Sequence, residues 1–339
     1  MKTKIRLLAL ALSCLPPALL AQDAAPKEGA LKESRDLEPT EIGARVELLQ
    51  HEVYGQRVDT AWLLFNQLYG AQVRAERVLF PANTADKEMI PGYVFTPAAG
   101  VPAGKKLPGL LVIHGAFHTN FEWRWFKLIA AAVAQGYAVM FPEYRGSSGY
   151  GPTIFTNDYG TTDVADCLAA ADYLAQQDFV DAKRTGLLGH SRGGMITVRL
   201  LQKFPQRFQA AVEICALLDF VAYMSYKPDS RRREIAVDKG FSGKLPDKNL
   251  PAYIAVSPIN FVPAIQTPLL CLAARGDTLV PFQLNTERLI DLLKAHGKTH
   301  ESHIYDHPIG SHSFLFADTP DARDAFKRSF EFLGKYLKP

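Results

Sequence analysis

A short glycine-flanked motif around Ser191 carries the strongest chemical signal in the sequence. The run Gly189-His190-Ser191-Arg192-Gly193 fits the pattern G-x-S-x-G. It follows an apolar segment that predicts a strand and precedes a segment with helical spacing, the context in which this pattern marks a nucleophilic serine. A sharp turn from strand to helix exposes the hydroxyl at a sheet edge, and flanking glycines avoid collisions with nearby backbone. Ser191 is therefore predicted to be a nucleophile.

Asp277 and His312 are the candidates for the acid and the base that a serine nucleophile needs. A serine hydroxyl attacks weakly unless a base takes its proton, and a carboxylate orients that base. Asp277 comes just after one predicted strand, and His312 lies in a small-residue loop after the next. The order serine, acid, histidine is the one expected when the serine lies on a strand-to-helix turn. His307 in the same loop is the alternative base, and loop placement favours His312.

Acyl transfer also requires hydrogen-bond donors for the oxyanion that forms on the attacked carbonyl. The backbone N–H of Arg192, at the start of the helix after the serine, is one predicted donor. The other is expected in the loop after the third predicted strand, where Gly115 allows the backbone to turn inward. Ala116 is the first choice for this second donor, and Phe117 is the alternative.

Short apolar segments alternate with segments of helical spacing along most of the chain. Alternating strands and helices predict a parallel sheet with right-handed crossovers, and continuous apolar runs predict strands buried on both faces. The first two strands, 73–80 and 92–96, instead predict a hairpin. We therefore predict an α/β protein of the α/β-hydrolase fold, with a mostly parallel central sheet and helices on both faces. The later predicted strands are 110–113, 138–141, 185–188, 210–215, 269–273 and 300–305, and the predicted helices are 123–135, 163–176, 195–204, 282–296 and 321–337.

The chain is predicted to divide into four segments. Residues 1–21 form a signal peptide, 22–40 a flexible leader rich in Ala, Lys, Glu and Pro, and 41–72 an N-terminal helical arm. Apolar residues recur at helical spacing in two groups within the arm, which predicts a pair of helices. Residues 73–339 form the α/β-hydrolase catalytic domain, and its polar, Pro-containing stretch 219–258 is predicted to be a short lid-like insertion.

The first residues have the pattern of an export signal. Lys2, Lys4 and Arg6 precede an apolar run that is too short to span a membrane, and Ala21 offers a small-residue cleavage point. This pattern predicts a secreted or periplasmic protein with no stable membrane insertion after the signal is removed. Cys14 offers the alternative of a lipoprotein anchor, which the neighbouring leucine and proline disfavour.

Composition and charge are those of an ordinary soluble globular protein. The 339 residues are 47% hydrophobic and 22% charged, with a formal net charge of +3. The basic triplet Arg231–Arg233 predicts a solvated loop rather than a nucleic-acid patch. A small peptide or ester substrate is therefore the expected partner, and no nucleic acid is expected.

No cofactor or metal ion is expected. No pair of histidines has helical ligand spacing with an acid, and Cys215 and Cys271 lie in strand-like apolar runs that predict buried free thiols. The glycines of 141–151 lack the spacing and the following helix of a phosphate-binding loop. This segment is instead expected to be a structured loop near the site, with Arg145 paired to an acid.

The stretches Pro142–Gly151 and Gly189–Gly194 belong to a larger set of motifs. The others are Asp163–Arg184, Asp277 with Val280 and Pro281, Tyr305, and Gly310 with His312 and Phe314. Together they resemble the catalytic domain of the prolyl oligopeptidase (S9) family over residues 73–337. The resemblance implies that Ser191, Asp277 and His312 form a catalytic triad, and that the loop at Ala116 supplies part of the oxyanion hole.

Two departures from this family bear on the substrate. S9 peptidases typically carry a large β-propeller, whereas this sequence leaves room only for a short helical arm. Members often read His-Gly-Gly-Pro where this chain has His114-Gly115-Ala116-Phe117, and His114 stands where some use a tyrosine for the oxyanion. The resemblance implies an S9-like peptidase that acts on short peptides through an acyl-enzyme on Ser191. A carboxylesterase with the same triad stays open, as does a non-catalytic binding protein on the same fold.

The substrate pocket is expected beside the insertion 219–258, which stands where such folds carry a lid over the site. Its Tyr223 and Tyr226 are predicted to wall the acyl or leaving-group pocket, with Phe117 as a further substrate contact.

Overall fold

One eight-stranded sheet forms the centre of the computed structural model, which describes residues 39–338. Its strands are β1 (Val73–Pro81), β2 (Met89–Pro97), β3 (Leu107–Ile113), β4 (Ala138–Pro142), β5 (Val180–His190), β6 (Ala210–Ile214), β7 (Leu269–Ala274) and β8 (His300–Tyr305). Their order across the sheet is β1-β2-β4-β3-β5-β6-β7-β8. The pairs β1–β2 and β2–β4 are antiparallel, and the other neighbours are parallel. The sheet is thus mostly parallel, as predicted, and it opens with the predicted hairpin.

Helices and short 3₁₀ turns connect the strands of the described part. The helices are α1 (Pro39–Tyr69), α2 (Phe126–Ala134), α3 (Pro152–Phe155), α4 (Thr162–Ala175), α5 (Arg192–Lys203), α6 (Phe220–Tyr226), α7 (Asp229–Ala236), α8 (Pro246–Val256), α9 (Thr286–Ala295) and α10 (Pro320–Leu337). The 3₁₀ turns are Trp123–Trp125, Pro258–Ala264, Phe282–Leu284 and Ser311–Phe316. Within residues 39–338, no helix has the length and apolar content needed to cross a bilayer.

Helices cover both faces of the sheet because its central strands are apolar on both. Leu110 and Val112 of β3 belong to a core that includes residues of α2 and α10. Leu111 and Ile113 belong to the opposite core, with residues of α4, α5 and α9. Successive side chains of a strand point to opposite faces, so an unbroken apolar run is buried on both. This packing fixes the strand ends, from which the loops of the site start.

The helical arm forms one continuous helix, α1, so the expected pair of helices is wrong. Residues 56–60, which separate the two apolar groups, are polar except for the buried Val58 and contain no proline. A single glycine, Gly55, costs a helix only about 1 kcal/mol relative to alanine and does not end it. The gap in the apolar pattern therefore marks a change in the surroundings of the helix rather than a break in its backbone.

The chain divides into two units between Leu48 and Leu49. The structure describes residues 39–48 of the first unit, which are the first turns of α1. The predicted signal peptide 1–21 lies outside the described residues. So does the predicted leader 22–40, except for its last two residues, which begin α1 instead.

The predicted insertion 219–258 contains the three helices α6, α7 and α8, between β6 and β7. Its buried side chains join the main core, and among them the rings of Phe241 and Tyr253 stack with centroids 4.0 Å apart. Phe220 and Tyr223 at its start are buried against the main core. Its role as a lid stays a prediction.

Candidate active site

Ser191 lies at the sharp turn between β5 and α5, in a strained backbone conformation. Its φ is 58° and its ψ is −118°, in a region that non-glycine residues rarely adopt. Its motif partners have no room for a side chain. A Cβ on Gly189 would lie 2.1 Å from the carbonyl oxygen of Gly193, and one on Gly193 would lie 2.0 Å from that of Ile113. The structure therefore places Ser191 on the predicted strand-to-helix turn.

A chain of hydrogen bonds joins Ser191, His312 and Asp277. The Oγ of Ser191 lies 2.9 Å from Nε2 of His312, and Nδ1 of His312 lies 2.6 Å from Oδ2 of Asp277. The tautomer that satisfies both contacts donates from Nδ1–H to the carboxylate and accepts at Nε2 from the serine hydroxyl. The second carboxylate oxygen accepts from the N–H groups of Leu279 and Val280. This arrangement can take the proton from Ser191.

Asp277 and His312 reach the serine from the loops after β7 and β8, two neighbouring parallel strands. Parallel strands bring their C-terminal ends to one edge of a sheet, which is the edge where β5 turns into α5. The alternative base, His307, is exposed and lies beside Gly276. The structure thus brings together the three residues selected from the sequence, and it is His312 that contacts Ser191.

His190 supports the base through a contact that the sequence did not predict. Its Nε2–H donates to the backbone carbonyl of His312 at 2.8 Å. Burial, and then the nearby His312, lowers the pKa of His190 to about 3, so the ring stays neutral. The only indication in the sequence was that His190 directly precedes the nucleophile. The motif allows any residue at that position. His190 therefore helps to position His312.

The predicted oxyanion donors lie around the same serine. Ala116 has a φ of 63°, and a Cβ on Gly115 would lie 2.8 Å from Cβ of Ser191. Ala116, its alternative Phe117, and Arg192 all line the cavity into which Ser191 opens. Among the described residues, no protein group accepts a hydrogen bond from the N–H of Ala116 or of Arg192. Both groups are therefore available to an oxyanion.

The side chain of Arg192 anchors the start of α5. Its guanidinium donates to Asp163 at 3.0 Å and to Asn157 at 2.6 Å. It also lies over the rings of Tyr144 and Tyr159, at 5.1 Å and 4.4 Å from their centroids. A buried cation needs such partners. The residue with the predicted oxyanion N–H is thereby tied to α4 and to the loop after β4.

Arg145 pairs with acids, as predicted for the loop 141–151. Its Nε and NH2 groups donate to Asp166 at 2.9 Å and 2.6 Å, and NH1 donates to Asp86 at 2.8 Å. Fork-shaped pairing of this kind fixes a guanidinium in one orientation. The loop is held in place by these bonds, and its Gly146 lies against the guanidinium of Arg192.

His114 uses its side chain inside the protein. Its Nε2 lies 3.0 Å from Oγ of Ser147, and its ring stacks on that of Tyr144 with centroids 4.3 Å apart. The residue is buried, and its side chain is absent from the described lining of the Ser191 cavity. His114 therefore does not replace the oxyanion tyrosine of some S9 peptidases, and a backbone donor such as Ala116 is left for that place.

The cavity beside Ser191 has a volume of about 710 Å³. Phe117 and Tyr223, two predicted substrate contacts, line it together with Lys227 and Arg231 of the insertion. Tyr226 does not reach the described lining. Its ring packs on Tyr223 with centroids 5.6 Å apart, and its hydroxyl donates to the carbonyl of Leu279. In this structure Tyr226 supports the pocket wall through Tyr223, and its contact with a substrate stays a prediction.

One group of possible metal ligands occurs among the described residues. It comprises Cys215, Asp277 and His312, whose ligand atoms lie within 4.8 Å of one another. Burial raises the pKa of the Cys215 thiol well above its usual value, which keeps the sulfur protonated. The acid and the histidine are already bonded to each other. These donors fit the hydrogen-bonded triad better than a metal site, since a metal requires deprotonated ligands. Cys215 and Cys271 are buried free thiols, as predicted.

The order and placement of these residues define a class of protein. A serine on a strand-to-helix turn, followed by an acid and a histidine after later strands of a mostly parallel sheet, is the arrangement of the α/β-hydrolase fold. The sequence model of the prolyl oligopeptidase family matches residues 122–339. The chain belongs to this family, which confirms the resemblance found in the motifs.

Similar sequences include peptidases from distant organisms. The acylamino-acid-releasing enzyme of Mus musculus is 30% identical over 219 residues, which are 62% of this chain and 27% of that protein. The uncharacterized peptidase YuxL of Bacillus subtilis (strain 168) is 30% identical over 274 residues, 76% of this chain and 39% of its own length. The chain thus spans between about a quarter and two fifths of these relatives.

Solved structures share the fold. The acylaminoacyl peptidase of Pyrococcus horikoshii matches 81% of this chain and 43% of that chain, with a TM-score of 0.68 and 20% identity. A puromycin-hydrolyzing peptidase of Mycobacterium tuberculosis matches 78% of this chain and 40% of that chain, with a TM-score of 0.66 and 21% identity. The fold prediction is therefore confirmed.

Proposed function

We propose that this chain is a serine peptidase that cleaves amide bonds of short peptides through an acyl-enzyme on Ser191. The observation that carries the proposal is the hydrogen-bonded chain from Ser191 through His312 to Asp277, beside a cavity of about 710 Å³. Membership of the prolyl oligopeptidase family supports the peptidase class. A cavity of this volume accommodates a ligand of a few residues.

In the first step, Ser191 is acylated and the amine leaves. His312 Nε2 takes the proton of Ser191 as its Oγ bonds to the carbonyl carbon, and the carbonyl electron pair moves to oxygen. The N–H groups of Arg192 and Ala116 stabilise that oxyanion. When the oxyanion collapses, the C–N bond breaks, and the proton on Nε2 passes to the leaving amine. The acyl group remains on Ser191.

In the second step, water replaces the amine. Nε2 of His312 takes a proton from water, the hydroxide oxygen bonds to the acyl carbon, and the ester bond to Ser191 breaks with return of the proton to Oγ. Asp277 stabilises the charged imidazolium in both steps, since its carboxylate lies 2.6 Å from Nδ1. A carboxylesterase would use the same steps on an ester, so substrates must separate the two.

The names of the similar proteins suggest which test substrates to use. Acylamino-acid-releasing enzymes and a puromycin-hydrolyzing peptidase are among them. We therefore choose N-acetyl-aminoacyl, aminoacyl and dipeptidyl p-nitroanilides, with p-nitrophenyl acetate as the ester. Measurable kcat/KM on the anilides supports a peptidase, whereas turnover of the ester alone would favour the carboxylesterase.

Covalent labelling tests the nucleophile directly. A fluorophosphonate probe should label the wild-type protein and fail to label Ser191→Ala, because only an activated serine reacts. Ser313 lines the same cavity and makes a matched control, so Ser313→Ala should retain the label. Absence of label in the wild type, or equal label in Ser191→Ala, would support the non-catalytic binding protein instead.

We also propose that the protein is exported. The support is the basic start at Lys2, Lys4 and Arg6, followed by a short apolar run and a small residue at Ala21. Expression of the full chain in a bacterial host, followed by fractionation and N-terminal sequencing, tests this. A cytosolic protein with an intact N-terminus would contradict export.

A further inference from the structure

The cavity beside Ser191 carries an uneven set of charges. Its lining includes the cations Arg124, Lys227 and Arg231 and the acids Glu122 and Glu234. Each acid has a cation of its own. Arg124 lies 2.8 Å from Glu122, and Arg231 lies 2.6 Å from Glu234. Lys227 has no such ion-pair partner, since no acid of the described residues lies within ion-pair distance of it.

The other ionisable groups of the lining do not balance this charge. Arg192 also lines the cavity, and its partner is the buried Asp163. Burial lowers the pKa of His118 to about 4 and that of His190 to about 3, so both rings are neutral near pH 7. The lining therefore carries more cations than acids on its insertion side, and Asp277, which is absent from the described lining, also acts on Lys227.

Lys227 is fixed next to the triad rather than free in solvent. Its Nζ lies 4.6 Å from the ring centroid of Tyr223 and 4.8 Å from that of Tyr226. Nζ also donates to the carbonyl of Leu279 at 2.8 Å. The N–H of the same Leu279 donates to Asp277. One residue thus links the ammonium group to the acid of the triad.

A partly buried ammonium group with no acid within ion-pair distance is poorly solvated. Burial, and then the charge of Arg231, lowers the pKa of Lys227, and the charge of Asp277 only partly offsets them. A bound anion opposes both effects, because it replaces lost hydration and offsets the repulsion from Arg231. After the bond to Leu279, an ammonium group still has N–H donors to offer. These donors lie at a wall of the same cavity as Ser191.

We infer that Lys227 binds a carboxylate of the substrate, so that the enzyme prefers peptides with a negative charge next to the cleaved bond. The inference rests on the proposed peptidase and names its substrate class. Two sources supply such a carboxylate: an Asp or Glu side chain in the acyl part, or the free α-carboxylate of the leaving residue. Both form the same charge-assisted hydrogen bond to an ammonium group.

Two matched substrate pairs separate these sources. The first pair is N-acetyl-Glu and N-acetyl-Gln p-nitroanilide, and the second is an N-acetyl dipeptide with a free or an amidated C-terminus. The wild type should favour the carboxylate member of one pair by about tenfold or more in kcat/KM, as expected for a hydrogen bond to a charged group. The pair that shows the preference identifies the source.

Substitutions at Lys227 test whether it is the recognising group. Lys227→Met keeps an unbranched stem against Tyr223 and Tyr226 but removes the charge, so the preference should fall to near equality. Lys227→Arg should retain a preference because it keeps the charge. Lys244 is an exposed lysine of the same insertion that lies outside the described cavity lining. Lys244→Met should therefore keep the wild-type ratio.

The outcomes distinguish this inference from the function on which it rests. Equal rates within both pairs in the wild type, or an unchanged preference in Lys227→Met, would overturn carboxylate binding by Lys227 while leaving a peptidase. A protein that turns over no amide or ester and takes no fluorophosphonate label would overturn the proposed function, and the inference with it.

Discussion

Hydrogen bonds that involve backbone groups hold Ser191, His312 and Asp277 in addition to their contacts with one another. The N–H of Ser191 donates to the carbonyl of Ile214, and His190 bonds to the carbonyl of His312. The identities of the triad residues could be predicted because a serine nucleophile requires them in one chain order. The role of His190 could not, because its partner lies 122 residues away and the motif leaves its position open.

Replacing His190 by phenylalanine should lower kcat more than it raises KM. A phenyl ring keeps the packing against Trp125 and Phe316 but cannot donate to the carbonyl of His312. Loss of one partner of a buried hydrogen bond costs about 1–3 kcal/mol. If that cost displaces His312, kcat should fall about tenfold or more.

Steady-state kinetics on p-nitrophenyl acetate measure the His190 effect. His190→Gln retains an N–H donor and should recover part of the lost kcat, which a purely apolar packing role would not explain. An unchanged kcat in His190→Phe, with normal thermal stability, would show that His190 packs beside the triad without positioning it.

At the level of elements, each site residue lies in a loop at the end of a strand. The strands could be predicted because short apolar runs such as 110–113 are buried on both faces of the sheet. The three helices of the insertion could not be predicted from the sequence. Its sequence is polar and interrupted by proline, and its helices pack into the main core through residues such as Phe241 and Tyr253, whose burial the local pattern does not indicate. Local propensity is a weak guide in such segments.

The turn between β5 and α5 should not tolerate a methyl group at Gly193. In Gly193→Ala the Cβ would lie 2.0 Å from the carbonyl oxygen of Ile113, so β3 and α5 could not keep their positions. We expect a loss of about 3 kcal/mol or more in the free energy of unfolding, together with loss of fluorophosphonate labelling. Urea denaturation and probe labelling of the same preparation measure the two effects.

Gly334 in α10 is the matched control for this substitution. A Cβ there meets no atom within 4 Å, and the helical backbone suits alanine. Gly334→Ala should raise the free energy of unfolding by roughly 0.5–1 kcal/mol, because alanine reduces the conformational entropy of the unfolded chain. If both substitutions changed stability equally, the steric account of the turn would be wrong.

At the level of the whole molecule, the family match begins at residue 122, whereas the sheet begins at β1. Elements before the matched region contribute to the site, since Tyr54 of α1 lines the cavity beside Ser191. The charge of that cavity could not be predicted from the sequence. It depends on Lys227 of the insertion meeting the turn after β7 at Leu279, which only the packed chain shows.

An acid at the centre of the molecule makes global stability depend on pH. Glu213 in β6 is fully buried, and burial raises its pKa from 4.5 to about 8. Between these values the folded protein holds the proton, whereas the unfolded chain has lost it. The contribution of Glu213 to the free energy of unfolding is therefore full below about pH 4.5 and falls as pH rises toward about 8, by up to about 1.4 kcal/mol per unit.

Glu213→Gln should remove this dependence because an amide does not titrate. Between about pH 6 and pH 8, the difference in unfolding free energy should shift by roughly 2 kcal/mol in favour of the variant. Asp238, whose pKa burial raises to about 7, is present in both proteins and cancels in the difference. Urea denaturation at half-unit pH steps measures both curves. Parallel curves would mean that Glu213 is already ionised in the folded protein, and that a charge is accommodated inside the sheet.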